Sequence, residues 1–293
     1  MVSTRAPTKG PSRDQDTKPA KVTSKKRTHR KTETSNTPKK IAPTKKIKKK
    51  ADDRHSKQES KSEVQDKPST TDSKSEASTY PKIDSLIEKY GAIPLSNTAL
   101  EGLQSPKPET ILALLLNAMF SSARNSHDLA AKTTATAIKV HYHKVDALRK
   151  SSWDERTEVL TEGGYTRYRE KRATGLGELV ELIDSKYDGD LNNLLPDLST
   201  DSSPSEIRKR LKEIKGVGDV GIDIFVDTAQ AVWPCLAPFL DPRSANTADA
   251  LGLPSDAQIL WECKEIYKDP LRMCRLASAL TNVRLDKREG EFK

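Results

Sequence analysis

The sequence predicts an all-α domain behind a disordered basic arm. Three observations point there. Apolar residues over residues 81–288 recur at helical spacing and nowhere sustain strand alternation. Helix-start signals, a capping residue followed by Pro or by Glu three positions on, recur through the same region. Residues 1–80 contain no Leu, Phe or Trp, and Tyr80 is their only aromatic, so they bury too little apolar surface to offset backbone ordering.

Taken in order, Ile83 to Tyr90 forms a short helix that Gly91 ends. Pro108 opens a helix to about Ser121. Its apolar residues (Ile111, Leu112, Leu114, Leu115, Leu116, Met119, Phe120) cover nearly every face, which marks the buried central helix. Asn125 caps the next helix, with Asp128 in its first turn. Ser152 and Glu155 form a capping box. Leu176, Leu179, Val180, Ile183 and Tyr187 trace a further helix. Ser203-Pro204-Ser205-Glu206 starts a helix to about Ile214, and Asp241-Pro242 starts one to about Leu251. Asp269-Pro270 opens the last, amphipathic helix, carrying Leu271, Leu276, Ala277, Leu280 and Val283. The total is about ten helices. Residues 289–293 are left as a short C-terminal tail.

The charge is unevenly placed. The 293 residues carry 51 Lys+Arg and 42 Asp+Glu, a net of +9. Residues 1–80 hold 22 basic and 10 acidic residues, a net of +12. The rest is therefore at −3 and must place its cations locally if it binds an anion. Within the arm, Lys25-Lys26-Arg27 and Lys45-Lys46-Ile47-Lys48-Lys49-Lys50 read as a nuclear import signal, recognised by importins, or as a phosphate-binding arm. A merely solubilising tail is the alternative. Residues 51–80 read as a Ser- and Lys-rich linker.

Some classes fall away. The opening residues lack the apolar stretch of a secretory signal. The longest apolar run, Ile111 to Leu116, is far short of the roughly 18–20 residues that span a bilayer. Cys235, Cys263 and Cys274 are widely spaced, which argues against a disulfide framework and against a zinc or iron–sulfur site.

The most informative stretch is Leu211 to Phe225. A capped helix runs into Gly216-Val217-Gly218, and a second helix starts at about Gly221. The glycines permit positive φ and a close backbone approach, and Val217 can tuck between the helices. Free N–H groups at the start of the second helix then form an anion site suited to a DNA phosphate. An ordinary tight helix–helix turn has the same pattern. Asp241 follows, and its position before Pro242 makes it a helix N-cap; after an apolar stretch it could also face a ligand.

These residues resemble the HhH-GPD superfamily of DNA glycosylases, typified by endonuclease III. Ile214-Lys215-Gly216-Val217-Gly218, the second helix and Leu240-Asp241 match its hairpin-and-aspartate signature. Pro108 to Ser122 is similar to its buried helix, and Glu162-Gly163-Gly164-Tyr165 to its G-Y loop at the DNA face. The resemblance is closest to a little-characterised branch. That branch shares Gly163 to Tyr168, Gly216 to Phe225, Ala229 to Pro234 and Leu240-Asp241. It covers about residues 82–288. It implies a bilobal fold, double-stranded DNA across the cleft and a damaged or mismatched base flipped into it. It also implies that Asp241 is the carboxylate below the flipped sugar, stabilising positive charge there and orienting the attacking water.

The departures narrow the chemistry. Val220 stands where bifunctional members carry a lysine, which argues against Schiff-base lyase chemistry. The cysteine cluster is absent, so no cofactor is expected. Gly164 occupies the wedge position of the G-Y loop, and Met119 that of a glutamine after Asn-Ala. Asp219 adds a negative charge beside the hairpin.

DNA contacts are expected from Lys215, Gly216, Val217, Gly218, Val220 and Gly221. Tyr165, Arg167, Tyr168 and the neighbouring cations join them, tracking phosphate or stacking on a base, with Arg124 at the cleft. His141 and His143 read as surface residues rather than ligands. Trp153, Trp233 and Trp261 read as core. The function expected is a nuclear, monomeric, monofunctional DNA N-glycosylase in base excision repair. The alternatives are a non-catalytic binder of DNA structure or damage and, third, a bifunctional glycosylase/AP lyase.

Overall fold

Apolar residues on every side of one segment organise the larger of two cores. The computed structural model describes residues 79–195 and 204–292. Among these, every regular element is helical: eleven α-helices, three short 3-10 turns and no strand. The expected disordered arm, its lysine clusters and the cap at Ser203 lie outside the described residues. No described helix is long and apolar enough to cross a membrane.

Helix α1 spans Lys82–Tyr90, and α2 spans Pro108–Ser121. In α2, Ile111, Leu112, Leu114, Leu115, Leu116, Met119 and Phe120 are all buried, as an all-round apolar helix requires. Each such side chain stabilises the fold by roughly 1.5–3 kcal/mol. Around α2 gather α3 (His127–Lys139), α4 (Val145–Lys150), α5 (Trp153–Glu162), α6 (Arg169–Tyr187), α7 (Pro204–Lys212) and α8 (Asp219–Ala229). The Ser152–Glu155 capping box at α5 forms reciprocally. At α3 the cap is Ser126, not Asn125. Ser126 has the extended backbone a cap needs and its Oγ accepts from Leu129 N.

The smaller core joins α1 to α9 (Pro242–Ala250), α10 (Ala257–Glu262) and α11 (Pro270–Leu285). The described residues thus start in this core, leave it for the larger one and return at Leu240. Asp241 and Asp269 cap α9 and α11, each followed by Pro, as expected. From α11, Arg275 donates to the Gly91 and Ile87 carbonyls and Asn282 to the Tyr90 carbonyl, satisfying the open end of α1. A Cβ at Gly91 would lie 2.5 Å from the Ile87 oxygen, so this helix end tolerates only glycine. Helix α11 also packs on α8, which links the two cores.

Three expectations change. Residues 289–292 are not a loose tail: Phe292 meets Tyr90 edge-on at 5.9 Å, and Glu291 bonds Lys89 and Tyr90. His143 is buried rather than superficial, because the chain reverses at His141 (φ 65°) after α3; burial lowers its pKa. Trp153 is 42% exposed at the start of α5, its indole N–H donating to Thr174, while Trp233 is core as expected.

Candidate functional site

The turn between α7 and α8 is built on two glycines with different roles. Ile207, Leu211, Ile214 and Val217 anchor it in the larger core. Gly216 has φ +84°, a region costly for other residues. Gly218 is extended (φ −98°, ψ −177°) and caps α8, so that helix starts at Asp219 rather than at Gly221. A Cβ at Gly218 would meet nothing within 4 Å, so this backbone is open to a close approach. The first amides of α8, at Asp219, Val220 and Gly221, have no intrahelical acceptor. Gly221 is buried against Ser122 at the end of α2, and Val220 is 46% exposed.

Cations surround this turn, but acids hold several of them. Lys215 pairs with Glu178 of α6, and Arg208 with Asp223 at 2.7 Å. Lys212 pairs with Asp219 at 2.8 Å, which holds the Asp219 carboxyl below its ordinary range. Arg172 is a further cation at the turn. Its guanidinium lies beside Gly216, where it would be 3.2 Å from an added Cβ, and it donates to the Met119 carbonyl at 2.9 Å.

Next to the turn, residues 164–168 line a groove of about 210 Å³ with Arg124, Asn125, Ser126 and Leu129. Gly164 has φ +90°. Arg124, Arg167 and Tyr168 are exposed along this groove. Tyr165 is not available for stacking on a base: its ring is 4% exposed and packs on Phe120 with centroids 5.8 Å apart. An aromatic following two glycines reads equally well as an outward wedge or an inward anchor; here the ring fills core space beside α2.

The groove shares Ala123 and Asn125 with a larger cleft of about 510 Å³ between the two cores. Asn117, Thr134, Ser278, Thr281, Asn282 and Arg284 contribute polar groups to it, and Asp227 and Asp241 form its acidic floor. Asp241 is 2% exposed. Its Oδ1 accepts from Arg243 N (2.9 Å) and Arg243 Nε (3.1 Å), and its Oδ2 from Ser244 Oγ (2.6 Å). Burial pushes this carboxyl up. Hydrogen bonds from Ser244 and Arg243, with the neighbouring Asp227, outweigh that push and bring it below the ordinary carboxylate range, which favours the ionised form. Asp227, on the inner face of α8, is raised well above its ordinary value by burial and then by the Asp241 charge.

The sequence gives no warning of how this floor is assembled. Asp227 Oδ1 accepts from Asp241 N at 3.1 Å. Gln230, fully buried, donates to the Phe239 carbonyl and accepts from Phe239 N, both at 3.1 Å. Two side chains of α8 therefore hold residues 239–241 in place. Ser244 is buttressed by Thr281 at 3.1 Å.

The structure brings Asp241 and α8 together, and gathers Arg124, Arg167 and Tyr168 at an adjoining groove. Comparison with protein-family models, with curated proteins and with solved structures finds no match to this chain.

Proposed function

We propose that this chain is a monofunctional DNA N-glycosylase. It would grip a DNA phosphate at the Gly216–Gly218 turn and hydrolyse the N-glycosidic bond of a damaged or mismatched base held in the cleft. One observation carries the proposal. Helix α8 begins at the open glycine turn and, roughly 12 Å along its axis, reaches the buried carboxylate floor of the cleft. A phosphate on the helix start and a sugar over Asp241 would then be held by one rigid element.

In this mechanism water forms the new bond to the sugar carbon while the base leaves with the bond electrons, and the proton lost by the water goes, through solvent, to the departing base. Positive charge develops on the sugar, and the ionised Asp241 stabilises it in a low-dielectric floor. With most of its acceptor sites engaged, Asp241 acts chiefly through its charge. Arg243, half exposed, is the donor best able to swing aside for water. The polar lining favours base selection by hydrogen bonds. Among the described residues lining the cleft there is no lysine, which with Val220 disfavours Schiff-base lyase chemistry. No cofactor is needed for the step.

The bilobal HhH-GPD-like fold belongs to the same proposal. Its support is the two cores, the return of the chain to the first of them and the α7–α8 turn. Nuclear import through importins, double-stranded DNA as partner and a monomeric state belong with it, resting on the sequence.

The second reading is a DNA-structure binder without chemistry. The full set of donors on Asp241 and its 2% exposure favour it. Single-turnover base release on duplexes carrying a panel of lesions and mismatches separates the two. The glycosylase releases a base from at least one duplex. Binding of bent or abasic DNA with no release from any member selects the binder. A covalent complex trapped by borohydride would restore the lyase.

A further inference from the structure

We propose that Asp227 is a neutral carboxylic acid on the cleft floor that positions Asp241 by accepting its backbone N–H. Asp227 is 8% exposed, and among the described residues no cation pairs with it. Its Oδ1 receives the Asp241 backbone N–H at 3.1 Å, so the Asp227 side chain fixes the backbone from which the Asp241 carboxylate projects.

The surroundings decide which group keeps the proton. Facing the pair are Asp223 from α8, Arg243 from α9, and Arg284 and Cys274 from α11. Arg243 bonds Asp241 directly, as does the Ser244 hydroxyl. Those donors place the negative charge on Asp241. Asp227 sees the Asp241 charge and the more distant Asp223 charge without a compensating hydrogen-bonded cation. A carboxyl this buried, without a paired cation and next to the Asp241 charge, stays protonated near neutrality. The Cys274 thiol beside them is raised by burial and then by Asp227, and it stays protonated. A buried acid without a cation destabilises a fold once it is asked to ionise, and its place on a cleft floor marks a working group.

The assignment to catalysis rests on the glycosylase reading; the protonated state of Asp227 does not. The first test therefore needs no substrate. In the full-length protein, the infrared spectrum should contain the carbonyl stretch of a protonated carboxyl well above the ordinary carboxylate pH range. The Asp227→Asn variant should lack that band. Its absence from the wild type, or its persistence in Asp227→Asn, overturns the proposal. Absence of the band from the wild type overturns the proposal even if the variant does not fold.

The second readout is thermal stability against pH. The folded state holds the Asp227 proton to higher pH than the unfolded state. Wild-type stability should therefore fall as pH rises from the ordinary Asp range through the raised value, and Asp227→Asn should flatten that fall. Equal slopes would contradict it. Where a duplex substrate is in hand, Asp227→Asn should lose the alkaline decline in the pH profile of base release, whatever the change in the rate itself. An unchanged pH profile would remove Asp227 from the mechanism while leaving the glycosylase reading intact.

Discussion

The glycine turn and the acidic floor lie at opposite ends of α8 and are built in contrasting ways. The turn is local. Its conformation follows from Gly216 and Gly218 and from apolar anchors within a few residues, and most of its ion pairs are exposed and exchangeable. The floor is assembled from separate segments: Asp227 and Gln230 of α8, Asp241 and Ser244 of α9, and Thr281 of α11. A local, solvated device can exchange its internal ions for a ligand at little cost. A buried, cross-linked device resists change and shifts the properties of its acids. The difference suggests a division of labour in which the turn supplies grip and the floor supplies chemistry.

The largest expected effect strikes the floor. Gln230→Ala removes both anchors of Phe239 and should destabilise the protein by about 2–4 kcal/mol, read as a lower urea midpoint. A midpoint within error of wild type would mean that residues 239–241 hold their place without α8. Next comes the proton balance. Above the ordinary Asp range, wild-type stability should decline by about 1.4 kcal/mol for each pH unit that Asp227 remains protonated, and Asp227→Asn should abolish that component. Asp241 works in the opposite sense. Its lowered value stabilises the fold above the ordinary range, and that contribution is lost as pH falls through the depressed value.

The turn should respond more mildly, and in affinity rather than stability. Gly218→Ala points a methyl group into open space, so the fold should be unchanged while DNA binding weakens on the order of tenfold across all sequences. Gly216→Ala is a poorer probe, because φ +84° strains any side chain there. The smallest effect is Asp219→Asn. Removing the acid that occupies Lys212 should raise affinity by about two- to fivefold at low salt, and less as salt increases. Affinity that falls instead would show that the Lys212–Asp219 pair shapes the turn rather than competing for phosphate.

The same contrast governs what could be read from the sequence. Caps such as Ser152 with Glu155 and Asp269 with Pro270 act within one turn of chain, so their residue types announce them. The all-round apolar α2 is equally legible, because burial on every face leaves no other pattern. Asn125 was a near miss: adjacent Asn and Ser are both good caps, and the backbone angles decide between them. Tyr165 and Asp227 were illegible for a different reason. Whether a tyrosine after two glycines turns outward depends on space beside Phe120, which no local pattern records. An acid on a helix reads as solvated until the segment opposite it is known, and the partner of Asp227 lies fourteen residues away across a turn and a 3-10 helix.

The most direct test of the division of labour is single-turnover base release by wild type and Asp241→Asn on the lesion and mismatch panel, with DNA affinity measured alongside. Asparagine retains the cap on α9 and removes the charge. A release rate lower by on the order of a hundredfold or more, with affinity for the same duplex unchanged, is the predicted result. Equal release rates in the two proteins, or loss of affinity in step with any loss of rate, would contradict it.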